Sequence, residues 1–345
     1  MQEKSKTAYI LSVLMITITV VGILYGITKL TDSRTTKTLS HDLVVNSTMT
    51  QENIPPPTPD TTLLFVGDIM LARGVANSVK KNFNDDFDLF LSNIPEIAKA
   101  DIAFANLEGP ISSRGKNVGS KYSFRFEPRV APALKNAGFD IVSVANNHAG
   151  DWTLTAFKDT LTSLAEVGIL TAGGGQTRAE AITPSIIEKN GIKFGFIGFT
   201  DVGPNGLAVT DTQAGLLLAS DPDFETIIKE AKTQTDILIV SFHWGEEYVE
   251  HTTRQTTLAH TAIDNGADII VGHHPHVEQA TELYKNKLII YSLGNFIFDQ
   301  YFSPETMSGL AVSVITNKDG MVSYKKHRVQ LSKTFQPHFE DYQEK

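Results

Sequence analysis

The sequence contains no cysteine among its 345 residues. This absence excludes a disulfide framework, thiolate metal ligands and a cysteine nucleophile, so any metal would be held by His, Asp, Glu or Asn. The sequence also lacks a block of basic residues and has a formal net charge of -9, which argues against nucleic acid as a partner. It has no Gly-x-Ser-x-Gly elbow and no Gly-Lys-Ser or Gly-Lys-Thr phosphate loop, and the three glycines at 173–175 are interpreted as a turn.

A long apolar run near the start of the chain predicts a membrane anchor. The run from Ala8 to Ile27 is uncharged, and about 20 apolar residues are what a helix needs to cross a bilayer. We predict a cytoplasmic segment at residues 1–7, a transmembrane anchor at 8–28 and a Thr/Ser/Pro-rich linker at 29–60. A cleaved signal peptide is the alternative, but its apolar region is typically only about 7 to 15 residues long. The expected location is the cell membrane, single-pass, with the domain on the extracytoplasmic side.

The rest of the chain has the composition of a protein that buries a substantial core, with 41% hydrophobic and 20% charged residues overall. Short apolar runs suited to buried strands alternate with amphipathic stretches suited to helices, which predicts an α/β fold. The predicted strands are Leu63–Val66, Ile102–Ala105, Ile141–Val144, Ile237–Val240 and Ile269–Val271. The predicted helices are Phe87–Ala98, Pro128–Ala137, Trp152–Val167, Phe224–Thr233 and Arg254–Asn265.

Two pairs of turn residues in the second half predict β-hairpins. Asn190-Gly191 and Lys285-Asn286 each separate two short apolar runs, as two-residue hairpin loops do. Hairpins added to strand-helix alternation predict a mixed sheet system, with two packed sheets as one arrangement. We predict one domain over residues 61–335, followed by a C-terminal tail at 336–345.

Polar residues follow each of the five predicted strands at once. Because loops at the carboxyl ends of strands converge on one crevice in open α/β sheets, we expect these residues to build one site. His274-Pro275-His276 indicates a metal most strongly, because Pro275 disfavours a helical conformation at His274, and extended residues two apart project to the same side. The candidate site residues are Asp68, Glu108, Asn147, His148, Asp151, His243, His274 and His276.

Several candidates also have an interpretation without a site. Asp68 could cap a helix that begins near Leu71, and Glu108 could be an exposed loop charge. A solvent-exposed, His-rich loop is the alternative for the segment at 274–276. His243 would cost free energy at the end of a buried run unless it were paired, so we expect a metal or a charged neighbour such as Glu246 or Glu247 beside it. The alternative for His243 is a hydrogen-bonded core histidine.

Six motifs follow one another along the chain and span nearly the whole predicted domain. They are Gly67-Asp68-Ile69-Met70, Asn106-Leu107-Glu108, Ala145-Asn146-Asn147-His148 with Asp151, His243-Trp244-Gly245-Glu246-Glu247-Tyr248, Gly272-His273-His274-Pro275-His276-Val277 and Tyr291-Ser292-Leu293-Gly294-Asn295-Phe296. In this order they resemble the CapA family of capsule synthesis proteins. The resemblance implies a role in making, exporting or anchoring poly-γ-glutamate at the outer face of the membrane. It also implies a fold like that of the calcineurin-like metallophosphatases, a mixed β-sheet sandwich flanked by helices.

The resemblance to metallophosphatases further implies one or two divalent cations, of Mn, Zn, Fe or Mg. By position, the metal ligands would be Asp68, Glu108, Asn147, His243, His274 and His276. His148, with Asp151, would be the catalytic pair that faces the substrate, and Glu108 would bridge the cations if two were bound. Two motifs depart from the pattern, since Met70 replaces a histidine and the segment at 106–108 replaces a pair of aspartates, so one metal position has lost a ligand.

Three functions remain open on the sequence. The first is a capsule synthesis protein that handles poly-γ-glutamate, or another anionic envelope polymer, together with membrane-bound synthetase subunits. The second is an extracytoplasmic metal-dependent hydrolase that cleaves phosphoesters or the polymer itself. The third is a binding module without catalysis. A polyanion needs nearby cations, and basic residues lie in the predicted loops between the first clusters, namely Arg73, Arg114, Lys116, Lys121, Arg125 and Arg129.

Overall fold

A computed structural model describes residues 59–343 of the chain, without the side chain of residue 205. The described residues do not include the predicted anchor at residues 8–28 or the segment before it. They also leave out nearly all of the predicted linker at 29–60. Within residues 59–343, no helix combines the length and apolar character that crossing a bilayer requires. The first strand of the described part begins at Thr61.

Eight strands form the larger of two main sheets. They are β1 (Thr61–Ile69), β2 (Ile102–Leu107), β3 (Ile141–Ser143), β4 (Leu170–Ala172), β13 (Asn295–Ile297), β14 (Ser308–Asn317), β15 (Gly320–Leu331) and β16 (Pro337–Asp341). The order across the sheet is β16-β15-β14-β1-β2-β3-β4, with β13 alongside the second half of β1. Strands β1 to β4 and β13 pair in parallel, whereas β14 to β16 pair antiparallel.

Six strands form the second sheet. They are β6 (Ser185–Lys189), β7 (Ile192–Thr200), β9 (Ile237–His243), β10 (Ile269–His273), β11 (Thr281–Tyr284) and β12 (Lys287–Ile290). The order is β11-β12-β10-β9-β7-β6, with a parallel centre and an antiparallel hairpin at each edge. Two further short strands, β5 (Gly174–Gly175) and β8 (Gly215–Leu216), pair with each other. The sheet system is therefore mixed, as the hairpin turns predict.

The helices lie on the outer faces of the two sheets. They are α1 (Arg73–Asn82), α2 (Phe87–Leu91), α3 (Pro95–Lys99), α4 (Val130–Ala137), α5 (Thr153–Glu166), α6 (Arg178–Ile182), α7 (Phe224–Thr233) and α8 (Thr253–Asp264), with one 3-10 turn at Asn205–Leu207. Helices α1 to α5 pack on the larger sheet, and α7 and α8 pack on the smaller one. The fold is therefore a β-sandwich flanked by helices, which confirms the predicted α/β class.

The core has three parts, one between the sheets and one on the outer face of each. Alternate residues of a strand point to opposite faces. In β1, Leu63 and Phe65 pack between the sheets, whereas Leu64 and Val66 pack against the helices. Strand β9 alternates in the same way. Burial on both faces is why these central strands are continuous apolar runs in the sequence.

Strand positions and both hairpins agree with the sequence predictions, but three boundaries were wrong. The predicted helix Phe87–Ala98 is two helices, because Pro95 has no N–H to continue a helix and instead begins α3. Arg73, which was predicted in a loop, is the first residue of α1. Strand β16 lies within the predicted C-terminal tail at 336–345, because it pairs with β15 and extends the sheet beyond residue 335.

Candidate metal centre

The candidate site forms where parallel strands of both sheets end. In the larger sheet, Asp68 of β1 lies in register with Asn106 of β2 on one side and Asn295 of β13 on the other. In the smaller sheet, His243 at the end of β9 lies in register with His273 at the end of β10. All five side chains are buried. The carboxyl ends of the two sheets therefore bring polar groups together, as the strand-end pattern predicts.

Two carboxylates and one imidazole form the centre of the cluster. One ligand atom from each of Asp68, Glu108 and His276 lies within 4.8 Å of the other two. His276 Nδ1 is 3.3 Å from Asp68 Oδ2, and His276 Nε2 is 3.5 Å from Glu108 Oε1. Asn106 Nδ2 donates hydrogen bonds to Asp68 Oδ1 at 2.8 Å and to Glu108 Oε2 at 3.2 Å. One amide thus holds the two buried carboxylates beside each other.

A second group of histidines adjoins this centre. The rings of His243 and His274 have their centroids 4.7 Å apart, and Asn147 Oδ1 lies 2.7 Å from His243 Nε2. His276 is shared with a second potential ligand group, in which atoms of Glu247, His274 and His276 lie within 4.8 Å of one another. The six predicted ligands and the additional Glu247 therefore occupy one connected region.

The backbone at 274–276 differs from the extended conformation that Pro275 predicts. His274 has φ 98° and His276 has φ 59°, both in the left-handed region that side chains with a Cβ rarely adopt. The turn is held by His274 N–H, which donates to Asp68 Oδ2 at 3.3 Å, and by the Pro275 carbonyl, which accepts from Tyr248 N–H at 2.9 Å. A strained turn, and not a strand, therefore brings the two rings to centroids 5.9 Å apart.

Burial moves the pKa values of these groups in opposite directions. It raises the pKa of Glu108 well above its usual range. For Asp68, burial is outweighed by hydrogen bonds and charges of His273 and His276, so the pKa lies well below its usual range. Burial lowers the pKa of His243 and brings that of His274 to about 3, whereas Glu108 and Asp68 outweigh burial at His276 and raise its pKa to about 9.

The buried atoms of the cluster fit a divalent cation. Among the described residues, Glu108 Oε1 and His274 Nδ1 are buried without a hydrogen-bond partner. Buried polar atoms without a partner cost free energy, and a bound cation would remove that cost. The lowered pKa values keep His243 and His274 neutral, which is the form that binds metal. Mixed imidazole and carboxylate donors suit Zn, Fe or Mn, and carboxylates also suit Mg.

The predicted catalytic pair lies at the edge of the cluster. His148 Nδ1 is 2.8 Å from Asp151 Oδ2, which also accepts a hydrogen bond from Phe124 N–H at 2.8 Å. The His148 ring lies against Phe124, with centroids 4.0 Å apart, and its Nε2 is 3.8 Å from Glu108 Oε1. Asp151 therefore fixes one ring nitrogen, and the other is directed toward the buried carboxylates.

A cavity of about 290 Å³ opens over the cluster. Its lining includes His148 and His276 from the cluster, together with Glu247 and Arg73. A small molecule can therefore reach His148 from solvent, while Asp68 and Glu108 are fully buried.

Some functional neighbours were missed or misassigned in the sequence predictions. His243 Nε2 lies 2.7 Å from Asn147 Oδ1, so an amide neighbours it where a metal or a charged residue such as Glu246 or Glu247 was expected. Glu247 joins His274 and His276, and it follows Gly245, whose φ of 81° bends the chain just after β9. Met70, which stands where the resemblance would place a histidine ligand, is buried. Its sulfur accepts a hydrogen bond from Ala72 N–H at 3.2 Å.

The fold and the buried donors together define an α/β sandwich with a candidate centre for divalent metal. Residues 62–300, more than half of the chain, match the family described as "Bacterial capsule synthesis protein PGA_cap". The chain therefore belongs to this family of bacterial capsule synthesis proteins.

Two relatives from Bacillus support this membership. The chain is 36% identical to the "PGA biosynthesis protein CapA" of Bacillus subtilis over 240 residues, which are 68% of this chain and 63% of that protein. It is 35% identical to the "Capsule biosynthesis protein CapA" of Bacillus anthracis over 248 residues, 69% of this chain and 60% of that protein. The match thus spans less than two thirds of either relative.

A solved structure gives a more distant likeness. The 5'-nucleotidase precursor from Thermus thermophilus superimposes with a TM-score of 0.43 at 13% identity, over 79% of this chain and 54% of that chain. A likeness this distant says nothing about the site of the present protein.

The lowered pKa of His274 predicts a pH effect on the metal-free protein. The histidine takes up its proton near pH 6.5 when unfolded but only near about 3 when folded, so acid favours the unfolded state. Below about pH 6.5, the wild type should lose up to about 1.4 kcal/mol of unfolding free energy per pH unit relative to His274→Gln, whose side chain takes up no proton. Urea unfolding of both proteins in a chelator, from pH 7 downward, measures this difference. Parallel stability curves would show that His274 does not titrate as described.

Proposed function

We propose that this protein handles poly-γ-glutamate during capsule synthesis and that its buried site hydrolyses bonds of that polymer. The observation that carries the catalytic part is the His148–Asp151 pair beside the cavity. Asp151 contacts His148 Nδ1, and His148 Nε2 lies 3.8 Å from Glu108 Oε1. The substrate is taken from the family and from the names of its Bacillus relatives, which concern PGA and capsule biosynthesis. Hydrolysis would let the protein trim or release chains made by membrane-bound synthetase subunits.

The proposed metal ligands are those that the geometry groups. Asp68, Glu108 and His276 would hold one cation, and His274 with Glu247 would complete a second position that shares His276. Asn147 and His243 lie beside these groups and would complete the proposed ligand set. A divalent cation supplies Lewis acidity, which polarises a carbonyl or phosphoryl oxygen and makes a water more acidic.

The residues of the chain would manage the proton of the reaction. Asp151 accepts from His148 Nδ1, which fixes the ring and leaves Nε2 to exchange a proton with a bound molecule. Breaking an amide requires a proton on the departing nitrogen, and a positioned imidazole supplies one. Phe124 packs on the imidazole and donates its N–H to Asp151, so it fixes both members of the pair.

The proposed location is the outer side of the cell membrane. The apolar run at residues 8–28 would anchor the chain in the bilayer, and the Pro-rich linker at 29–60 would hold the domain away from the surface. A capsule lies outside the cell, so a domain that cleaves the capsule polymer would lie there. The net charge of -9 supports no nucleic-acid role.

Loss of His148 should abolish most of the hydrolysis. With added Mn²⁺, the His148→Gln variant of the full chain in detergent should cleave poly-γ-glutamate about 10² to 10⁴ times more slowly than the wild type, because it cannot transfer a proton. Size-exclusion chromatography of the polymer and the release of new amino groups both measure cleavage. His260→Gln is the matched control, since His260 also pairs with a carboxylate, Glu282 at 3.0 Å, but does not line the cavity.

Equal rates for wild type and His148→Gln would remove His148 from the mechanism. A folded wild type that binds Mn²⁺ and polymer but cleaves nothing would leave the polymer-binding role and contradict the hydrolase. Cleavage of a phosphoester such as p-nitrophenyl phosphate, with no cleavage of the polymer, would instead favour the phosphoesterase.

Deletion of residues 8–28 tests the proposed location. The full chain should sediment with membranes, and the deletion variant should move to the soluble fraction, since the apolar run would no longer be present. In intact protoplasts or spheroplasts, added protease should digest the domain of the full chain. A domain protected from protease until the cells are lysed would place it on the cytoplasmic side and contradict the proposal.

A further inference from the structure

Arg73 lies in the wall of the cavity, close to the candidate catalytic pair. It is the first residue of α1, just beyond the end of β1, and it lines the same cavity as His148 and His276. Its guanidinium carbon is 5.2 Å from the centroid of the Phe124 ring, whose centroid is 4.0 Å from that of His148. One aromatic ring therefore supports both the cation and the imidazole.

The guanidinium group is held in a fixed orientation. Asp299 accepts hydrogen bonds from Arg73 Nε at 3.2 Å and from Arg73 Nη2 at 2.9 Å. The same carboxylate accepts from Gly74 N–H at 2.8 Å, so it also caps the first turn of α1. A Cβ on Gly74 would lie 2.8 Å from Asp299 Oδ2, so only glycine leaves room for this contact. Asp299 is only 8% exposed, so little water competes for its hydrogen bonds with Arg73.

The opposite edge of the guanidinium group remains available. An arginine has five N–H donors, and Asp299 takes one from Nε and one from Nη2. Within residues 59–343, Nη1 makes no hydrogen bond, and the side chain is 37% exposed. The Nη1–Nη2 edge can therefore donate two hydrogen bonds to one planar anion. Binding would cost little side-chain freedom, because Asp299 already fixes the guanidinium group.

We infer that Arg73 is a carboxylate-binding subsite that positions the substrate beside His148. The inference rests on the proposed function, and it adds the group that selects an acidic polymer. In γ-linked glutamate, each repeat carries a carboxylate on the carbon that is bonded to the amide nitrogen. Arg73 and His148 line the same cavity and both pack on Phe124, so a carboxylate bound at Arg73 holds the neighbouring amide nitrogen, one carbon away, in the cavity that His148 lines. Guanidinium binds a planar carboxylate at two points, which an ammonium group cannot do.

Binding of two matched ligands tests the subsite apart from catalysis. The ligands are a short γ-linked glutamate oligomer and the same oligomer with its carboxylates converted to methyl esters. Calorimetry is performed on the full chain in detergent with a chelator, so that no turnover occurs and failure of the hydrolase does not affect the result. Arg73→Gln should weaken binding of the acid oligomer about ten- to hundred-fold, because a charged two-point hydrogen bond is lost. Binding of the ester should be weak and unchanged.

Two further variants make the result specific. Arg73→Lys keeps the charge and the stem but loses the planar fork, so it should recover only part of the affinity. Arg254→Gln is the matched control, because Arg254 pairs with Asp201 through Nε at 3.0 Å and Nη2 at 2.8 Å but does not line the cavity. The Arg254→Gln variant should bind the acid oligomer with the affinity of the wild type.

The outcomes separate the inference from the proposed function. If Arg73→Gln and the wild type bind the acid oligomer equally, the subsite is wrong although the polymer role stands. The same conclusion follows if both ligands lose affinity together, since that would indicate damage to the loop around Asp299. If the wild type binds neither oligomer, the polymer-handling role itself is contradicted.

Discussion

The structure depends on the burial of two carboxylates, Asp68 and Glu108, at the end of the central strands. Both are fully buried, and an unpaired buried charge costs several kcal/mol. The fold offsets this cost with the side-chain amide of Asn106, which donates to both, and with the imidazole of His276, which contacts both. Asn146 in turn donates to Asn106 Oδ1 at 3.1 Å, so the loop after β3 is tied to the same centre.

This constraint explains the arrangement of the two sheets. The carboxylates come from the larger sheet and its loops, whereas His243 ends a strand of the smaller sheet and His274 and His276 follow another of its strands. The sandwich must therefore keep the carboxyl ends of both sheets in contact, and the apolar layer between them does so. The pKa values of Glu108 and Asp68 shift in opposite directions because burial, which favours the neutral carboxyl, dominates at Glu108, whereas the hydrogen bonds and charges of His273 and His276 dominate at Asp68. A divalent cation would favour the charged form of both.

Much of this arrangement could be predicted from local sequence. Strands buried on both faces are continuous apolar runs, and Asn190-Gly191 forms its hairpin because both residues adopt positive φ, 52° and 74°. Polar residues directly after such runs predicted that one site would form at the strand ends. The chemical roles of those residues remain predictions, whereas their proximity is a property of the fold.

The remaining features depend on contacts between distant residues. The left-handed conformation of His274 needs Asp68, which lies 206 residues earlier in the chain, to accept its N–H. Glu247 joins His274 and His276 after a bend at Gly245, whose φ is 81°. The hydrogen bonds between Arg73 and Asp299 join residues that are 226 positions apart in the chain. Periodicity and spacing hold no information about such pairs.

Metal binding by the intact cluster is the measurement that tests the account most directly. Purified full chain is stripped with a chelator, dialysed against Mn²⁺ or Zn²⁺, and analysed for bound metal and for its thermal midpoint. We predict one or two ions per chain and a midpoint that rises with metal concentration, since a ligand of the native state alone stabilises it. Asp68→Asn combined with His276→Gln should lose the metal, and His260→Gln should keep it. A folded wild type that binds no divalent cation would contradict the account.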